Sequence, residues 1–463
     1  MKHFSKRSFL PVSRQALYDW HASGSAFSRL APPWERIEIE KWLGGEATKD
    51  LSKEEQFGDI STGAQVFVRT KVGPLWQKMR AVHIAHEKPS LFVDEMKQGP
   101  FAHWIHEHRF EEDSVSSSIL EDRISYRLPL SPLSDWIAGG WVRRKIEKMF
   151  EFRHRRTIQD LEQKMKYESS KKKIAITGAS GLVGTELSAF LQAMGHEVYT
   201  VSRGSEERSA KILSLDTPFS WEGLDAVVHL AGEPIAGRWT DAKKKKIKDS
   251  RVLYTSRLAS LLSQLKHPPE VLISASAIGW YGDRGDEVLS EESSAGTNFL
   301  AEVCAQWEHA VAPAKERGIR CVHPRIGVVV TPKGGALQKM LLPFKLGMGG
   351  PVGTGKQWMS WISLDDLVHM IYFLIQTPQA HGSFNATAPK PVRNKEFGTI
   401  LGKALHRPSF MPMPSWAVRL LLGEMGQALL LEGAHVLPQK SLNMGFTFLH
   451  GTLEDCLAAV LGA

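Results

Sequence analysis

Three glycines, Gly178, Gly181 and Gly184, follow the apolar run Ile174-Ala175-Ile176 and precede a helix-forming stretch, residues 185–194. Their spacing is GxxGxxG, and their place between a strand and a helix suits them to a pyrophosphate. Glycine allows the sharp turn and the close backbone approach, while the first helical turn offers unpaired N–H groups and a positive dipole. Gly178, Ala179, Ser180, Gly181, Leu182, Val183 and Gly184 are therefore expected to touch a dinucleotide. About 20 residues further on, an acidic residue would bond the ribose 2′-hydroxyl of NAD. Here the second strand run ends in Ser202 and Arg203. A guanidinium is a planar, permanently charged fork that suits a 2′-phosphate, so NADP(H) is the expected cofactor. Leu230, Ala231 and Gly232 end another strand run, where backbone would pass the adenosine half.

Hydride chemistry also needs a group that gives or takes the matching proton. Near the nicotinamide end the candidates are Ser274, Ser276 and Tyr281, with Glu302 on the following helix equally suited to a surface ion pair. Residues 350–356, GPVGTGK, fit part of a nucleotide-binding P-loop. Gln357 replaces the Ser or Thr that would hold magnesium, and no strand run precedes the segment. The expected role is a glycine-rich substrate loop lined by Gln357, Trp358 and Trp361. A histidine cluster, His103, His106 and His108, raises metal binding. On a strand the last two share a face and His103 points away. A third ligand would have to come from elsewhere, His83 and His86 being the candidates, and no metal is expected.

These residues need elements to hold them. The chain has 463 residues, 42% hydrophobic and 23% charged, the balance of a globular protein with two or three domains. No run of about 20 apolar residues appears, so no membrane span is expected. The N-terminus lacks an apolar signal core. Three cysteines without CxxC spacing fit a reducing compartment, hence a cytoplasmic protein. The net charge of +8 is partly gathered in Lys171–Lys173 and Lys243–Lys246. No aromatic residues interleave with these runs, so they read as solvated faces, and no nucleic-acid partner is expected.

Residues 155–173 are polar and charged, like a fraying helix that runs into a linker. Four segments follow from this: a first domain at 1–165, a linker at 166–172, a nucleotide-binding domain at 173–333, and a substrate-side subdomain at 334–463 that covers the sheet's carboxyl edge. Alternating runs at 64–70, 90–96 and 117–126 mark strands in the first domain, and residues 136–160 carry helical spacing. The picture is a curved antiparallel sheet over a long helix. A dense set of tryptophans there suits a core or a cavity for an apolar ligand. Beyond 172, strand runs at 174–177, 197–201, 226–230 and 271–274 alternate with helical segments. That pattern is an α/β, doubly wound parallel sheet of Rossmann type over residues 172–463.

The segments TGASGLVG, VHLAGEPIAGRW, SASAIGWYGD, PRIGVVV, GGPVGTGKQWMSWI and NATAPKPVRN resemble the extended short-chain dehydrogenase/reductases, in their atypical epimerase-family branch. The resemblance covers nearly all of 172–463 and implies NADP(H) and a small-molecule substrate. The wider class uses a Tyr-x-x-x-Lys pair, and the helix expected to carry it, residues 298–308, has neither residue. Tyr167 and Lys171 make the sole such spacing, in the linker. Two functions follow: an oxidoreductase or epimerase, or a catalytically silent NADP(H) sensor. AFSRLAPPWE, FVDEMKQGPFAHWIHEHRF, LEDRISYRLPL and MFEFRHRRT resemble the START-like (SRPBCC) helix-grip domains. That implies an α+β fold with an apolar ligand beneath the long helix.

Overall fold

In the computed structural model, residues 1–46, 48, 57–72, 75–167, 170–201 and 212–463 are described. Two compact units are present: Met1–Ser170 with Ala189–His196, and Lys171–Ser188 with Glu197–Ala463.

The first unit is built on strands β1 (Lys2–Leu10), β2 (Ile37–Leu43), β3 (Gln65–Val72), β4 (Leu75–Glu87), β5 (Leu91–Gln98), β6 (His103–Ser114) and β7 (Ser117–Arg127). They form one antiparallel sheet in the order β1-β7-β6-β5-β4-β3-β2. Two short helices, Arg14–His21 and Ala26–Leu30, join β1 to β2, and a 34-residue helix, Leu133–Lys166, follows β7. Strand β6 alternates strictly, burying Trp104, His106, His108 and Phe110 on one face. Trp104, Ile124 and Tyr126 pack on Ile146 and Phe150 of the long helix.

Three expectations change here. The long helix does not fray after residue 161: it runs to Lys166, with Gln163 still buried. Several of the polar residues that suggested a frayed end are buried along it, among them Arg156, Thr157 and Asp160. Trp136 and Trp141 lie at the helix's exposed beginning, 87% and 53% exposed, rather than in a core. The sheet's inner face also is not uniformly apolar. It carries His106 and His108, with Asp122 of β7 and His154 of the helix buried beside them.

In the second unit, β8 (Lys173–Thr177), β9 (Glu197–Val201), β10 (Ile212–Leu213), β11 (Ala226–His229) and β12 (Val271–Ser274) continue into strands Arg320–Ile326 and Gly382–Ala386. The pairing is parallel throughout, in the order β10-β9-β8-β11-β12, then Arg320–Ile326, then Gly382–Ala386. This is the doubly wound Rossmann order, and the order in which strands are added switches sides between β8 and β11. Ala175, Val227 and Leu272 are fully buried, as strands covered on both faces require. The expected subdomain at 334–463 is not wholly separate. Gly382–Ala386 returns to extend the main sheet, and its five residues, GSFNA, carry no β-branched signal that would mark them.

A buried ion pair fastens the first unit's helices. Arg29 Nε and Nη2 donate to the two oxygens of Asp160 at 2.9 and 2.7 Å, and both side chains are fully buried. Asp160→Ala strands the guanidinium without this carboxylate. Chemical denaturation followed by tryptophan fluorescence is expected to show a loss of about 3–5 kcal/mol, the usual cost of breaking a buried ion pair by removing one partner.

Candidate functional site

The glycine segment sits where the sheet reverses. Gly178 has φ +72°, and a Cβ there would lie 2.9 Å from the Ala231 nitrogen and the Leu230 carbonyl carbon. The turn after β8 and the turn after β11 thus touch through bare backbone. A Cβ on Gly184 would meet the Gly178 oxygen at 2.2 Å, so this glycine lets the helix Leu182–Ala193 start directly beneath the turn. Gly181 N–H donates to the Gly178 oxygen at 2.9 Å, and Thr185 Oγ1 donates to the Ala179 oxygen. Ser180 and Gly181 are exposed at the tip. The helix's first amides open beside them, the arrangement that accepts an anion. Leu230, Ala231 and Gly232 lie across from this turn. Ser202 and Arg203 fall outside the described residues.

Beneath the two turns lies a hydrogen-bonded relay. The ring of His229, fully buried, bridges Thr177 Oγ1 at 2.6 Å and Thr255 Oγ1 at 2.8 Å, and stacks on Tyr254. Burial pushes its pKa down to about 4, with the Arg251 charge adding to the effect. Thr177 Oγ1 also accepts the Ala231 amide at 3.3 Å. Arg251 donates to the Glu233 and Ile247 carbonyls, and its guanidinium lies against Gly232. Sequence reasoning missed Arg251, because its helix, Asp241–Ser263, has several basic residues and no pattern singles it out.

Two of the three hydroxyl candidates share one buried network. Ser276 Oγ donates to Glu308 Oε1 at 2.7 Å. Glu308 also receives both sides of the Arg325 guanidinium, at 2.8 and 2.9 Å, and Ser383 Oγ at 2.9 Å. Arg325 reaches the Tyr281 phenol at 3.0 Å, and that phenol donates to Asn385 Oδ1 at 2.6 Å. Tyr281 is fully buried, and Arg325 stacks 3.8 Å above the Trp280 ring. Burial acts to raise the Glu308 carboxyl, but Arg325 outweighs it and holds the group below its usual range. Burial pushes the Tyr281 phenol up. Ser274 stands apart, fully buried, its Oγ without a hydrogen-bond partner among the described residues. Glu302 makes a surface ion pair with Lys248 at 3.0 Å. Glu308 and Arg325 were missed, although a charge inside the run RCVHPRI is a signal, since a buried charge must be paired.

The segment 350–356 has no P-loop shape: it is a turn that leads into the short strand Trp358–Met359. Gln357 and Trp358 line a cleft with Asp286, Thr354, Lys356 and Arg393. The Gln357 amide ties the loop down through the Val352 and Leu430 carbonyls. Trp358 lies between His435 and Arg393, with its Nε1 donating to Asp286 at 3.0 Å. Trp361 is not in the cleft. It is fully buried in a core cluster, its Nε1 donating to the Lys390 carbonyl. The chain changes sheets between the two tryptophans, since Trp361–Ser363 pairs with Val328–Val330.

This doubly wound sheet, with its glycine turn at the reversal point, defines a Rossmann protein of the dinucleotide-binding class. The family model described as NAD dependent epimerase/dehydratase family matches residues 174–386, and Domain of unknown function (DUF1731) matches residues 413–460. The chain is 39% identical over 307 residues to the chloroplastic epimerase family protein SDR39U1 homolog of Arabidopsis thaliana, a match covering 64% of this chain and 88% of that one. It is 40% identical over 290 residues to epimerase family protein Mb2239 of Mycobacterium bovis, covering 61% and 96%. The solved nucleoside-diphosphate sugar epimerase from Corynebacterium glutamicum is similar with a TM-score of 0.75 and 31% identity, over 99% of this chain and 90% of that one. Human epimerase family protein SDR39U1 (isoform 2), solved with NADPH, gives 0.59 and 32%, over 63% and 99%. The chain belongs to the NAD dependent epimerase/dehydratase family, as an SDR39U1-like epimerase family protein.

The depressed His229 pKa has a stability consequence. The unfolded chain takes up this proton near pH 6.5 and the folded chain near pH 4. Stability is therefore full above pH 6.5 and falls as pH drops towards 4, by up to about 3 kcal/mol from this group. Urea midpoints measured between pH 7 and 4 are expected to fall less steeply for His229→Gln than for the wild type. Parallel profiles would contradict the assignment.

Proposed function

We propose that the second unit binds NADP(H) and acts as an oxidoreductase or epimerase on a small molecule. The observation that carries this reading is the contact of two bare backbone turns at Gly178 and Leu230-Ala231, with free helix amides beside it. Ser180, Leu182 and Val183 present their amides to the pyrophosphate, Gly178, Gly181 and Gly184 make room for it, and Ala231 and Gly232 flank the adenosine half. Arg203, with Ser202, takes the 2′-phosphate. NADPH in the human relative's structure supports the phosphorylated cofactor. The bound cofactor supplies the hydride. The chain supplies position and the matching proton.

For that proton, the geometry favours the Glu308–Arg325 network as the frame, with Ser276 as the hydroxyl that donates to Glu308 from the strand end beyond β12. Tyr281, buried between Arg325 and Asn385, serves as a positioning residue. The cleft beside Trp358 and Arg393 suits an anionic or ring-bearing substrate, and the similar nucleoside-diphosphate sugar epimerase of Corynebacterium glutamicum supports the sugar-nucleotide class. The silent-sensor reading rests on the absent Tyr-x-x-x-Lys pair. For the first unit we propose a START-like helix-grip fold, supported by its antiparallel sheet and long closing helix. The buried charges on its inner face argue for a ligand with polar groups, not a purely apolar one.

Calorimetry with NADPH, NADP+ and NADH tests the cofactor. Gly181→Asp puts a carboxylate at an exposed tip with no backbone clash closer than 3.2 Å. It is expected to weaken NADPH at least 100-fold without unfolding the chain. Arg203→Ala is expected to weaken NADPH about tenfold or more, the scale of a charged hydrogen bond, and to leave NADH unchanged. No heat with any of the three would end the proposal. NADPH binding without oxidation across a broad carbonyl panel would favour the sensor.

A further inference from the structure

The inner face of the first unit's sheet gathers nitrogen and oxygen donors from three adjacent strands. Asp94 on β5 pairs directly across from His106 on β6, and His108, two residues on, pairs directly across from Asp122 on β7. Period-two alternation puts all four on the same face. Asp94 Oδ2 lies 3.4 Å from His106 Nδ1 and 3.3 Å from His108 Nε2, and one ligand atom from each of the three residues falls within 4.8 Å of the others. Two donors each about 2.0–2.1 Å from a tetrahedral ion stand about 3.3–3.4 Å apart, so these separations match the edges of a coordination tetrahedron.

The remaining ring nitrogens are held from behind. His106 Nε2 hydrogen-bonds Asp122 Oδ1 at 2.7 Å, and His108 Nδ1 lies 3.0 Å from the same oxygen. Asp122 Oδ2 is bonded by His154 Nε2 at 2.8 Å, and His154 Nδ1 meets Ser8 Oγ at 2.9 Å. A carboxylate behind metal-bound imidazoles is the usual outer support, fixing ring orientation and raising donor strength. His106 and His108 are 3% and 4% exposed, so both rings are closed off from solvent.

We propose that Asp94, His106 and His108 form a divalent transition-metal site of the zinc class, with Asp122 as its outer carboxylate. Two histidines and one carboxylate leave at least one coordination position open, as in sites that bind water or a ligand oxygen. The third ligand is Asp94, not His83 or His86. His86 instead bonds the Tyr18 phenol at 2.6 Å. Sequence reading missed Asp94 because its partner histidines lie on the next strand and only the register brings the three together.

The test is metal content of the full-length chain, stripped with chelator and titrated with Zn2+ or Co2+. The wild type is expected to hold one equivalent, to show the ligand-field absorption of a nitrogen- and oxygen-bound Co2+, and to melt at a higher temperature with Zn2+. His103→Ala, which removes the histidine on the opposite face, is expected to bind as the wild type does. His108→Ala and Asp94→Ala are expected to hold less than a tenth of an equivalent. Asp122→Asn, which keeps all three ligands, is expected to weaken binding 10- to 100-fold. Failure of the folded wild type to retain either ion, or undiminished binding by His108→Ala, would overturn the site. If His108→Ala fails to fold, the wild-type titration and Asp122→Asn decide it.

Discussion

Two parallel strands, β8 and β11, end side by side, and their outgoing turns must pass each other with no side chain between them. Gly178 meets that constraint with a left-handed φ and no Cβ, against the Leu230–Ala231 peptide. Any larger residue would push the turns apart and move the first amides of the helix Leu182–Ala193. Thr177, His229 and Thr255 then lock the strand ends from below, with Thr177 also holding the Ala231 amide. Because His229 stays neutral in its burial, the relay adds no charge beneath the glycine turn.

Further along the sheet the structure solves a different problem. Arg325 and Glu308 lie deep between strand and helix, where an unpaired charge would cost several kcal/mol. Each is saturated: Glu308 by Arg325, Ser276 and Ser383, and Arg325 by Glu308, Tyr281 and the Trp280 face. The network joins residues 276, 281, 308, 325, 383 and 385, which come from five separate segments. A fully paired network of this kind is rigid, and it fixes the position of the Ser276 hydroxyl.

The first unit carries its polar groups under the same rule. Asp94, His106, His108, Asp122 and His154 face one another on a sheet whose neighbouring cores are apolar. Strand register sets Asp94 against His106 and His108 against Asp122, so a slip of one residue in β6 would turn both histidines outward. The inner face therefore depends on register more strictly than an apolar lining would.

The Rossmann character of the second unit was legible because its signals are local. A buried strand, a glycine turn and a helix start are contiguous in residues 174–184, and each is dictated by neighbours within a few positions. The same holds for the alternation of β6, which already separates His103 from His106 and His108. Tertiary structure alone decided the rest. Glu308 meets Arg325 and Tyr281 meets Asn385 across 17 and 104 positions. Gly382–Ala386 joins the sheet through pairing with Arg320–Ile326, not through any propensity of its own. Trp361 turns into the core three residues after Trp358 enters the cleft, because the chain changes sheets between them. Asp94 reaches the histidines by strand register. Sequence order fixes what a residue prefers within a turn or two; which distant residue it faces is set by how strands pair and helices pack, and that information is distributed over the whole chain.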